Sequence, residues 1–264
     1  MSEKKIIIQF TILTFCIAYL VSGALIALGQ FGFTVHSTVQ ESLQHLGMNI
    51  PFTIYILSPA IASYIILKKN NKIVDIKDWL KTVFYVKNAI SLYLFVIAGL
   101  ALYFFIHLVV SGRTEMVLPF YMFFLALPSN LIIGGLEEAG WMYILQPGLD
   151  KKFGYVLSSV SFGIIWTLWH IPLFFIPGTS HYEGHIDFGM FAVQLIAFRF
   201  FYGAIYKISG NGCVFLCVLC HTMFNAANFT LGTLPMTWAG TIVANTVVVL
   251  VSIITVLTYN KKKR

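Results

Sequence analysis

Several windows of about 20 residues in this chain, the stretch from 89 to 110 among them, are nearly free of charge, and that is the length a helix needs to cross a hydrocarbon core of roughly 30 Å. Backbone amides in hydrocarbon must find partners within their own segment, which favours helices over open strands. The composition agrees, with 58% hydrophobic residues, 10% charged residues and a mean hydropathy of +0.84. We therefore expect an all-α, polytopic protein of the cell membrane, folded as a single integral domain over residues 1–264.

A net charge of +7 would raise nucleic-acid binding in a soluble protein, but here its distribution gives another reading. Of 17 Lys and Arg, 15 lie at one set of segment ends: Lys4 and Lys5, the run from Lys68 to Lys87, Lys151 and Lys152, Lys207, and Lys261 to Arg264. The opposite loops carry Arg113, and Arg199 falls inside a span. This is the positive-inside pattern, with some attraction to anionic headgroups. It predicts cytoplasmic N- and C-termini, the lipid bilayer as surroundings and no nucleic-acid partner.

Taken in order, the chain predicts about eight transmembrane helices. The first runs to about Leu28 and lacks an A-x-A cleavage site, so it is expected to be retained. A polar outer loop with His36, Glu41 and His45 follows. Pro51 then opens a second helix that reaches about Leu67. DIKDWLKTVF reads as an amphipathic helix on the inner surface. A third span covers 89 to 110, and Arg113 and Glu115 mark an outer turn. The fourth is expected as one helix from about Val117 to Leu145, stopped by Gln146, Pro147 and Gly148. The remaining four cover about Tyr155 to Phe175, 188 to 208, 213 to 230 and Ala239 to Tyr259, with a turn at Ser209 to Gly212 between the sixth and seventh.

The fourth span contains LIIGGLEEAGWMYIL, with Glu137 and Glu138 side by side. Carboxylates inside a membrane are costly and mark a functional site by default. Neighbours on a helix point about 100° apart, so one glutamate can face a cavity while the other braces a neighbouring helix. His170 closes WTLWH, and His221 and Asn225 bracket HTMFN. Imidazole can hold a water, a proton or a metal near neutral pH, and a carboxamide can donate to a developing oxyanion. Each histidine alone reads as a packing residue; Glu, His, His and Asn on three spans read as a site. Cys213, Cys217 and Cys220 share a helix face with spacing that invites a metal cluster, but small apolar packing residues are the simpler reading. No HExxH, GxGD or GxSG occurs, so hydrolysis here would use water, with Glu as base and His holding water or metal.

At these residues the chain resembles the CPBP family of intramembrane proteases, named for CAAX-processing and bacteriocin-processing members and also called Abi. The family motif EExxxR corresponds to Glu137–Met142, EEAGWM; FxxxH corresponds to Trp166–His170; HxxxN corresponds to His221–Asn225. The resemblance covers a protease-like region of about 117–230. It implies Glu137 as the base that activates water, Glu138 as its supporting carboxylate, His170 and His221 as holders of that water or of a divalent metal such as zinc, and Asn225 as a stabiliser of the oxyanion. Two positions depart from the pattern. Trp166 replaces Phe, which keeps an aromatic wall. Met142 replaces the Arg that would neutralise Glu138, and Arg199 is the cation available to take its place.

The expected activity is an endopeptidase acting on a peptide or lipidated peptide, close to the cytoplasmic face. Its rivals are a non-catalytic bacteriocin-immunity or scaffolding protein of the same fold, which the missing Arg would suit, and a proton-coupled transporter using the carboxylates as a relay.

Overall fold

The computed structural model describes residues 3–35, 46–112, 118–210, 213–231 and 237–263. The expected outer loop with His36, Glu41 and His45, the turn with Arg113 and Glu115, and Asn211, Gly212 and Arg264 lie outside the described residues. Those described form helices and connecting turns, with no strand among them.

The apolar windows fold as predicted into long helices: α1, Glu3–Gly29; α5, Ile90–Ser111; α8, Phe188–Ile208; α9, Val214–Leu231; and α10, Trp238–Lys263. The amphipathic segment forms α4, Ile76–Val83, capped by Asp75, whose carboxylate accepts from the Asp78 amide at 2.9 Å. Trp79 and Val83 turn inward, and the Trp79 indole donates to Ser63. Asp187 caps α8 in the same way, through the Met190 amide at 2.8 Å.

The second expected span is a bent pair. Its first limb, α2, covers Leu46–Ile56 with Pro51 inside it rather than at its start, and its second, α3, covers Ser58–Lys69. The chain bends by 57° between the limbs. Proline cannot supply the amide an inner turn needs, and a second proline, Pro59, opens α3.

The fourth span is not one helix. A first limb, α6, covers Tyr121–Ile132. The chain then breaks at Gly134, passes through a 3-10 turn at Gly135–Glu137, a single α turn at Glu138–Gly140 and a π turn at Trp141–Leu145, and continues as α7, Gln146–His170. Gln146, Pro147 and Gly148, expected as a stop, begin α7, because proline suits a first turn.

Among the described residues six helices are long and apolar enough to cross a bilayer, or seven with the bent pair taken as one span. The expectation of about eight differs at Tyr121–Phe175, 55 residues interrupted only by the short turn at Ile133–Gly134. Extended, it would reach about 80 Å at 1.5 Å per residue. It folds back instead. Gly154 takes a positive φ of 72°, and the Trp166 indole returns to Glu137, 29 residues earlier. The fourth and fifth expected spans are its two limbs.

Helix α8 packs between α7 and α10, α9 lies against α6, and α1 covers α2 and α3. The basic groups collect at one end of this bundle. Lys151 pairs with Glu3 at 2.7 Å, Lys207 pairs with Asp150 at 3.1 Å, and Lys72 shares a small cleft with Glu3 and Lys151. The protein is a multi-pass membrane protein.

Candidate active site

The break after α6 brings the two glutamates to the middle of the bundle. Gly134 has φ +126°, a conformation open to glycine, and a Cβ there would collide with Asn225 Nδ2. A Cβ on Gly135 would collide with Thr222 Oγ1. The Gly-Gly pair thus lets the backbone of the turn lie directly against α9, beside His221 and Asn225.

From this turn the carboxylates diverge, as the sequence suggested. Glu137, 2% exposed, faces a cavity of about 440 Å³. Its Oε2 accepts a hydrogen bond from Trp166 Nε1 at 3.0 Å. Glu138 is fully buried and turned away from that cavity. Arg199 grips it with both arms, Nη1 to Oε2 at 2.8 Å and Nη2 to Oε1 at 2.7 Å, and His221 Nδ1 lies 3.0 Å from Oε1. A two-armed guanidinium–carboxylate pair fixes orientation as well as charge.

Arg199 also lies over the face of Trp166, its Cζ 3.4 Å from the ring centre, with the Phe162 and Tyr202 rings at 4.4 and 4.8 Å. Such faces stabilise a desolvated cation. Its Nη1 is 4.0 Å from Met142 Sδ. The cation therefore comes from α8 to the side of the very residue that replaces the expected arginine.

Both histidines have a fixed tautomer. His170 Nδ1 lies 2.8 Å from the Trp166 carbonyl, which can only accept, so this nitrogen carries the proton. A carboxylate does the same for His221 Nδ1. In the neutral form of each ring Nε2 is left with a lone pair. His170 and His221 both line the cavity and pack edge-on to Trp166, at 4.9 and 5.6 Å between ring centres. Asn225 Nδ2 donates to the Ile133 carbonyl at 3.3 Å, and its carboxamide lines the same cavity.

The structure thus brings Glu137, His170, His221 and Asn225 to one cavity and sets Glu138 behind them. Trp166 does more than the aromatic wall expected of it, since it joins Glu137, Arg199 and both imidazoles. Asn130, Gln194 and Tyr202 also line the cavity, and the sequence reading missed them. The double glycine before Glu137 was the available pointer to a close backbone approach. Cys213, just before α9, and Cys217 and Cys220 within it are buried free thiols, consistent with packing, and Cys217 Sγ donates to the Tyr202 carbonyl.

Residues 118–227 match the family of type II CAAX prenyl endopeptidase Rce1-like proteins. A curated relative, CAAX prenyl protease 2 of Methanococcus maripaludis, is 36% identical over 53 residues, or 20% of this chain and 20% of the relative. The match therefore spans about a fifth of that relative's length. The resemblance read from the three motifs is borne out over 118–227, which includes every candidate site residue.

The Rce1-like stretch was also read as a possible metal site. A catalytic zinc takes three protein ligands. Among the described residues no three His, Cys, Asp or Glu side chains are grouped to hold one ion. The Glu138 carboxylate is already engaged by Arg199 and His221. The residues as arranged do not fit a three-ligand centre, and the chemistry below runs through none.

The cavity is lined from mid-bundle, at Glu137 and His221, as far as Asn49 of α2 and Thr179, Ser180 and His181 of the loop after α7.

Proposed function

We propose that this chain is an intramembrane endopeptidase of the CAAX-protease type that cleaves a peptide or lipidated peptide with water activated by Glu137. The observation that carries this reading is the division of labour between adjacent carboxylates. Glu138 is neutralised and held by Arg199, while Glu137 faces a cavity with two imidazole lone pairs and a carboxamide around it.

In this mechanism the Nε2 of one imidazole, His170 or His221, accepts one O–H of a water and orients it, which leaves the other O–H for Glu137. Glu137 takes a proton from that water as its oxygen attacks the scissile carbonyl. The Asn225 amide, with one N–H on the Ile133 carbonyl, donates its other N–H to the oxyanion. The proton on Glu137 then passes to the departing amine as the C–N bond breaks. Glu138 holds the His221 tautomer and touches no reacting atom.

The non-catalytic alternative drew its support from the missing arginine at Met142, and Arg199 now supplies that charge. Purified protein in detergent, given a panel of apolar peptides, tests the choice. We expect cleavage by the natural chain and none by folded His170→Ala or His221→Ala. Equal cellular function of all three proteins, without cleavage by any, would transfer the reading to binding.

A further inference from the structure

Two carboxamides on the cavity wall, Gln194 and Asn130, have no part in the mechanism above. Gln194 stands in the second turn of α8 and is only 9% exposed. Its Oε1 accepts the Tyr103 hydroxyl of α5 at 3.2 Å, in the buried interior. Tyr103 is itself wedged between rings, with Phe198 edge-on at 4.9 Å and His107 tilted at 4.7 Å between centres. The acceptor of Gln194 is thus committed and its amide plane set. Among the described residues nothing accepts from Nε2, so a side chain nine-tenths buried turns an unused donor to the cavity.

Asn130, in the last turn of α6, has the opposite chemistry. Its Nδ2 donates to the Ala126 carbonyl at 2.8 Å, a group that can only accept. Its Oδ1 is left on the cavity wall with no donor among the described residues. Helix α9, which carries His221 and Asn225, packs against both α6 and α8. One fixed donor and one fixed acceptor therefore stand on the two neighbours of the helix that carries half of the catalytic set.

Much of the remaining wall is apolar, with Phe52, Leu173, Phe191 and Phe198 in it. A peptide bond brought there loses its water, and an unpaired N–H or C=O is costly in such surroundings. A helical peptide has its groups bonded to one another, whereas an extended one presents them free. Main-chain bonding of that kind gives affinity without dependence on side chains.

From these observations we infer that Gln194 and Asn130 clamp the backbone of an extended substrate: Gln194 Nε2 donates to one of its peptide carbonyls and Asn130 Oδ1 accepts from one of its peptide N–H groups. Tyr103 is a positioning residue that acts through Gln194. The inference rests on the endopeptidase reading for the reaction; the clamp itself concerns binding.

Cleavage of an apolar peptide by purified protein in detergent, and binding of the same labelled peptide to a Glu137→Gln background that does not turn it over, test the two separately. Gln194→Met and Asn130→Leu keep size and remove one hydrogen bond each. Each should raise KM, and Kd on the Glu137→Gln background, about tenfold, with kcat within about threefold. Tyr103→Phe should raise KM less, and should add nothing to Gln194→Met. A scan of N-methylated peptides should find one position that weakens binding about tenfold in the natural cavity and has no further effect beside Asn130→Leu. A flat scan overturns the clamp even where a variant fails to fold. Unchanged KM and Kd in both folded carboxamide variants, or a fall in kcat at constant KM, overturns it and leaves the peptidase standing. Binding weakened by both variants in a chain that cuts nothing removes the peptidase reading and leaves the clamp, and a natural chain that neither binds nor cuts removes both.

Discussion

Arg199 reaches across from α8 to hold both oxygens of Glu138, at 2.7 and 2.8 Å, beside the thioether of Met142. Breaking a buried pair of this kind leaves an uncompensated charge and costs about 3–5 kcal/mol. Arg199→Gln should therefore lower the melting temperature sharply and abolish activity. Met142→Arg on that background returns a guanidinium to the same place and should recover most of both. If Arg199→Gln left folding and activity intact while Glu138→Gln destroyed them, the pair would not be what holds Glu138.

Trp166 Nε1 is 3.0 Å from the carboxylate assigned as base. Trp166→Phe keeps an aromatic face for Arg199 but removes this donor, which is worth about 1–1.5 kcal/mol net. We expect kcat to fall about tenfold with KM little changed, since the bond orients the base and not the substrate. A raised KM at constant kcat would show that Trp166 shapes substrate binding instead.

Gly134→Ala places a methyl group against Asn225 at a φ of +126°. Backbone strain of this sort costs about 1–3 kcal/mol. The variant should lose at least tenfold in activity and part of its thermal stability. Adding Asn225→Ala relieves the collision, so stability should partly return while activity does not. Thermal melts and peptide cleavage on the two variants separate the effects.

His181 lies in the loop between spans, edge-on to Phe174 and Phe191 at 5.0 and 4.9 Å, with Nε2 buried and unpartnered. Burial pushes its pKa down to about 4. The unfolded imidazole titrates near 6.5, so between these values the unfolded chain binds a proton that the folded chain refuses. Stability is full above about pH 6.5 and declines as pH falls, by about 3 kcal/mol at pH 4. His181→Phe should flatten that decline in a series of melts from pH 7.5 to 4.5; an unchanged slope would assign the acid sensitivity to other groups.

The sequence carried the helical class, the basic end and the set of site residues, because apolar length, lysine placement and motif spacing are local properties. It also allowed for the divergence of Glu137 and Glu138 and for Arg199 as the replacement cation. It did not reveal the break at Gly134. The run from Val117 to Leu145 is apolar enough for one helix, and only the contact with Asn225 and Thr222 on α9, some 90 residues later, shows why two glycines stand there. Nor did it show that the cavity's lining runs on from the site residues to the loop after α7. That depends on which side of the bundle centre His170, Gln194 and Asn228 fall, a property of packing among helices rather than of any one segment.

The central claim is that Glu137 activates water while Glu138 serves structure, and the most direct measurement is kcat/KM for Glu137→Gln on a cleaved peptide, with a melting curve for the same sample. Glutamine keeps the shape and the acceptor for Trp166 but cannot take a proton. A fall of at least about a hundredfold with an unchanged melting temperature is the predicted result, in the range a general base contributes. Near-natural kcat/KM in folded Glu137→Gln would contradict the account.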